Sequence, residues 1–142
     1  MTRNEEFLQY VYQNARMGKV SIDQIIKIVD DIEFKDILNE QINEYEYIIE
    51  ESDKELKELG SEAKDISRMT EMMTYFTVKM STMKDNTSTY IAKMLVKGSD
   101  MGVIQISEKL NHYKRLKPSI RQLGKKLLEL EEKNIESLKK YL

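Results

Sequence analysis

Breaks are so sparse in this chain that it has room for little except long helices. One proline, Pro118, and five glycines interrupt 142 residues, and the stretches between them are longer than strands usually run. Within those stretches apolar or small residues recur at alternating steps of three and four: Leu8, Val11, Ala15, Gly18, Ile22, Ile25, Val29 and Ile32. That spacing places them on one stripe of a helix and leaves the remaining faces to water. A shift of phase and the polar pair Asp30-Asp31 mark a break. A second stripe follows at Leu38, Ile42, Tyr45, Ile49, Ser52, Leu56 and Leu59. Two helices joined so closely pack as an antiparallel hairpin.

Gly60 is placed to end the second helix, with Lys57 in its last turn against the helix dipole and Ser61 opening the next connection. Near the other end, Lys117-Pro118-Ser119 starts a final helix carrying Ile120, Leu123, Leu127, Leu130, Ile135 and Leu138. Its partner is the stretch before it, with Ile91, Met94, Leu95, Gly98, Met101, Ile104 and Leu110 expected inward. Between the hairpins lies a helix-compatible, methionine-rich segment with Met69, Met72, Met73, Phe76, Met80 and Met83, and Asp85-Asn86-Thr87-Ser88 supplies capping candidates for the helix after it. The pattern predicts helices over 4–30, 34–59, 66–84, 87–113 and 118–141 in a single domain spanning 1–142. The fold class is all-α: a four-helix bundle of two antiparallel hairpins joined by a long helical crossover.

Three stretches carry a resemblance: Tyr12-Gln13-Asn14-Ala15-Arg16-Met17-Gly18, Gly98-Ser99-Asp100-Met101-Gly102-Val103-Ile104, and Leu130-Glu131-Glu132-Lys133-Asn134-Ile135-Glu136-Ser137-Leu138-Lys139. On these residues the chain resembles a small group of uncharacterised bacterial ferritin-like helical proteins. The resemblance implies a ferritin-like four-helix bundle and no particular activity. Ferritin-like di-iron sites use one Glu from each of two helices and a Glu-x-x-His from each of the others. The single histidine, His112, has Lys109 three residues before it. No such motif occurs, so none of the family's metal ligands carries over.

Composition narrows the function classes further. Lys plus Arg (23) nearly balances Asp plus Glu (25), so no strong field draws in nucleic acid. The absence of cysteine removes thiol redox chemistry, disulfides and cysteine-held metals. No apolar run is long enough to span a bilayer, and Met1-Thr2-Arg3-Asn4-Glu5-Glu6 lacks a signal-peptide core, which makes the cytoplasm the expected location. Phosphate-binding glycine loops, nucleophile elbows and calcium loops are missing as well.

What remains are weak constellations. Glu108 and His112, four residues apart and joined by Gln105, could hold one metal; the preferred reading is a solvated pair near a helix end. Glu131, between Leu128 and Ile135, could point inward, as could Glu44 and Glu46 beside Tyr45; solvated flanking charges are preferred. The nine methionines suit core packing first, an adaptable binding groove second and copper(I) last. Gly98-x-x-x-Gly102, with Ala15 and Gly18, suits close helix packing rather than membrane dimerisation. Tyr10, Tyr12, Tyr45, Tyr47, Tyr75, Tyr90 and Tyr113 suit buried rings with hydroxyls at the bundle surface.

The sequence therefore assigns no catalytic, cofactor-binding or metal residue and implies no cofactor. Its leading reading is a non-catalytic helical module that binds a protein partner or itself through the apolar face of the crossover. The alternative is a divergent ferritin-like metal-binding protein with a carboxylate-rich or intersubunit site, Glu108 and Glu131 being its candidates. A third reading is a helical container for a small apolar ligand.

Overall fold

A computed structural model describes residues 1–67, 69–81 and 87–142. Those residues form α1 (Arg3–Ile25), α2 (Ile32–Glu58), α3 (Met69–Ser81), α4 (Ser88–His112) and α5 (Pro118–Leu138), with 3-10 turns at Ile26–Ile28 and Lys139–Tyr141. The fold is all-α, and no strand occurs among the described residues. No helix is long and apolar enough to cross a membrane, again among those residues.

The helix ends follow from local chemistry. Thr2, Asp31 and Thr87 each accept a backbone N–H of the first turn, capping α1, α2 and α4. Gly60 sits at φ 75° just past α2. Its N–H donates to the Lys57 carbonyl at 2.9 Å and the Ser61 N–H to the Leu56 carbonyl at 2.9 Å, the paired bonds of a Schellman motif. Pro118 occupies the first turn of α5, where a missing N–H costs nothing.

Contacts between helices fix the direction of each one. Gly18 faces Tyr45, and Gln9 reaches the segment beyond the end of α2, so α1 and α2 run antiparallel. Gly102 faces Glu131, and Thr89 donates to the Tyr141 carbonyl at 2.8 Å, so α4 and α5 do too. Lys126 bonds Tyr47 and Lys133 bonds Glu40, pairing α2 and α5 antiparallel. Two antiparallel hairpins thus lie side by side with α2 and α4 pointing the same way. The chain must return the length of α2 before α4 begins. Residues 61–67 start that return along α1, held by Gln9 at Glu62 and Lys64, Gln13 at Lys64, and Arg16 at Asp65. Next, α3 packs on α1, with Met69 buried. Met83, with Asp85 and Asn86, lies outside the described residues, as do the side chains of Met72, Phe76 and Met80.

One core runs through all four long helices, with Phe7, Leu8, Val11, Phe34, Leu38, Leu56, Ile91, Ile106, Ile120, Leu127 and Leu138 among its buried members. Two expected stripes need correction. Ile32 is 78% exposed, because Asp31 caps a new helix there and the stripe of α1 stops at Val29; Phe34 is the buried residue of that turn. On α4, Met101 and Ile104 are exposed. Ile91 is buried as expected, and with it the inward seam is Ala92, Ser99, Gly102 and Ile106, so from Gly98, which is exposed, the seam runs about one residue out of phase with the expected one. Small residues win this face because α5 comes close enough that a Cβ on Gly102 would lie 3.1 Å from the Glu131 carboxyl carbon.

Glycine substitutions separate these roles. Gly60→Ala is expected to lower unfolding stability by about 1 kcal/mol through its left-handed backbone. Gly98→Ala, in open space on α4, should raise it by about 0.5–1 kcal/mol. Urea titration of both variants checks the signs.

Candidate functional site

At the level of Gly18 and Gly102 the core becomes polar. The Tyr45 hydroxyl on α2 donates to Glu131 Oε1 on α5 at 2.7 Å, and Asn134 Nδ2 donates back to the same hydroxyl at 3.2 Å. Ser99 of α4 lies beside this pair. All four side chains are buried, Glu131 to 4% exposure. The i, i+3 spacing of Glu131 and Asn134 puts both on the face of α5 that meets α2. A side chain at Gly18 would overlap the Tyr45 ring, its Cβ 2.4 Å from Cζ, so the absence of one lets the tyrosine stand upright between α1 and α2. Gly102 does the same for Glu131 beneath α4.

The electrostatics of this knot are unusual. None of the ion pairs among the described residues involves Glu131, so among them its charge is met only by neutral donors. Burial pushes its carboxyl above the ordinary value of 4.5, opposed by the bond from Tyr45 and by the nearby Ser99 hydroxyl. Burial and the neighbouring carboxylate hold the Tyr45 hydroxyl well above its usual range, leaving it a donor at neutral pH.

The knot forms one wall of a cleft between α1 and α4. These two helices touch near Phe7, Tyr10 and Glu6, where Leu110, Gln105 and Tyr113 meet them, and leave a cavity of about 250 Å³ further along. Met17, Ile22, Ile25, Met94, Leu95 and Met101 give it apolar sides. Tyr45, Glu131, Ser99 and Gln41 give it a polar floor. Gln41 precedes Tyr45 by one turn on α2 and is buried, yet its amide nitrogen has no hydrogen-bond partner among the described residues. A buried donor left unmade is costly.

The candidates read from the sequence fall on both sides of this geometry. Glu131, expected among solvated flanking charges, is instead enclosed, because Gly102 admits it and Tyr45 binds it. Glu44 lies at the α2–α5 surface with Lys133, and Glu46 is near Lys19. Glu108 and His112 are not part of the knot; His112 is exposed and packs edge-on against Tyr113. Glu108 lies six residues, roughly 9 Å, along α4 from Gly102, so the structure does not join it to Glu131. No group of three or more His, Asp or Glu side chains that could hold a metal occurs among the described residues. Met94 and Met101 line the cleft, whereas Met69, the first residue of α3, is buried elsewhere. Gln41 carries no sequence signal beyond being a polar residue one step from Ile42 and three from Leu38. Gly124 carries none either, yet its Cβ would fall 2.3 Å from the Phe7 ring, which fixes the α1–α5 approach.

Comparison with family models, curated proteins and solved structures finds no match to this chain. The chemistry of the cleft itself is what points to a role.

Two measurements probe the knot. Tyr45→Phe leaves Glu131 and Asn134 short of a partner and should cost about 1–3 kcal/mol. Glu131 gains protons on folding, so its contribution to stability is full below its unfolded value and is lost as pH rises through the elevated folded one. The stability difference between Glu131→Gln and the natural chain should therefore move in favour of the variant as pH rises from about 4.5 through the elevated folded value; a difference independent of pH would contradict the burial of that charge.

Proposed function

We propose that the chain is a non-catalytic helical binding module of ferritin-like shape, and that its binding site is the cleft between α1 and α4. One observation carries the reading: a cavity with apolar sides of Met and Ile residues has a buried carboxylate, Glu131, in its wall beside Tyr45, Ser99 and Gln41. Small-molecule sites have this composition, mostly apolar walls with a few convergent polar groups. The ferritin-like assignment is supported by the helix directions, two antiparallel hairpins whose second and fourth helices run parallel, which requires a crossover of bundle length. Methionine contributes here as adaptable wall. Met94 and Met17 line the cavity from α4 and α1 and can repack around occupants of different shape.

The cleft is preferred to the crossover as the binding surface. On α3, Met73, Tyr75 and Val78 are exposed to solvent, whereas the cleft combines apolar walls with a buried polar floor that can select an occupant.

A fragment screen by amide NMR tests the proposal. Fragments that bind should move the backbone signals of Gly98 and Gly102 and the side-chain amide of Gln41. Gly98→Phe, whose new ring enters the mouth of the cleft, should abolish those shifts without unfolding the protein. Hits that map only to α3, or shifts that persist in the Gly98→Phe chain, would contradict the assignment.

A further inference from the structure

The floor of the cleft holds a buried carboxylate, Glu131, that no cation meets among the described residues, and this describes a ligand. On the reading that the cleft is a binding site, we infer that it takes a small organic cation: a primary or secondary ammonium group on an apolar body, its head against Glu131.

Glu131 is held for this task by its neighbours. The Tyr45 hydroxyl from α2 donates to the carboxyl group, Asn134, one turn further along α5, donates to Tyr45, and Ser99 of α4 lies beside them. These neutral groups aim the carboxylate and leave its charge uncompensated. A carboxylate in a site of low dielectric gains most from a cation that brings its own hydrogen-bond donors. An ammonium group supplies two or three. An anionic ligand would be repelled, and a neutral alcohol would leave the charge as it found it.

Size and shape narrow the class. The cavity of about 250 Å³ has room for about eight water molecules at ~30 Å³ each, the bulk of a ligand of about ten non-hydrogen atoms. Ile22, Ile25, Met94 and Leu95 would enclose its apolar body. A single metal ion suits the site less, because Glu131 is the one carboxylate among the described residues that line the cavity.

Titration calorimetry with n-hexylamine and 2-phenylethylamine, set against 1-hexanol, 2-phenylethanol and hexanoate, decides the matter. The amines should bind the natural chain roughly tenfold or more tightly than the matching alcohols, and hexanoate should not bind. Glu131→Gln, checked for folding by circular dichroism, should erase the preference for amines, and Glu108→Gln, at a carboxylate outside the cavity, should leave it in place. Alcohols that bind as well as amines, or an amine preference that survives Glu131→Gln, would overturn the cationic class while leaving the cleft a binding site. Failure of every probe on the natural chain would overturn the cleft and the class together. If Glu131→Gln does not fold, the amine-to-alcohol comparison on the natural chain still decides.

Discussion

The arrangement of this molecule depends on one hydrogen bond in the wrong place for a stable core, the 2.7 Å contact from Tyr45 to Glu131. Burying a carboxylate without a counter-ion is expensive, and hydrocarbon of the same size would pack there more cheaply. The bundle nevertheless commits residues from all four long helices to it. Tyr45 comes from α2, Glu131 and Asn134 from α5, Ser99 and Gly102 from α4, and Gly18 from α1. At each of the two glycines a larger residue would press on one member of the pair. Buried polar groups that cost stability are more often found where something binds than where something merely packs.

The same constraint explains why α1 and α4 part company. Near Phe7 they close around aromatic and aliphatic contacts, and Gly124 lets the Phe7 ring fit tightly against α5. Beyond that point α4 turns its small residues toward α5, carrying Met101 and Ile104 away from the core. What would have been a fourth apolar seam becomes the rim of a cleft. The opening is thus a consequence of how α4 is rotated, and the rotation follows from the close approach of Gly102 to Glu131.

Much of the fold can be read from the sequence, for physical reasons that stop short of the site. The steps of three and four from Leu8 to Val29 fit only a helix face, and Gly60 and Pro118 end and begin helices by backbone chemistry that is local. The rotation of α4 is not local. Its larger apolar residues, Met94, Met101 and Ile104, suggest one face, and the partner helix selects another by demanding small side chains. Glu131 is ambiguous for the same cause: two overlapping stripes run along α5, and only the position of Tyr45 from a distant segment decides that the acid points inward. Gln41 cannot be singled out at all, since a missing partner is visible only when its neighbours have been placed.

A charge enclosed at the floor of the cleft is the central claim, and the side-chain carboxyl signals of the glutamates, followed by carbon-detected NMR through a pH titration, test it most directly. The Glu131 carboxyl should titrate above the ordinary value, its shift accompanied by movement of Tyr45 and Ser99 signals. A Glu131 that titrates with the exposed glutamates, and without effect on Tyr45, would mean that the acid lies in water and that the cleft has no charged floor.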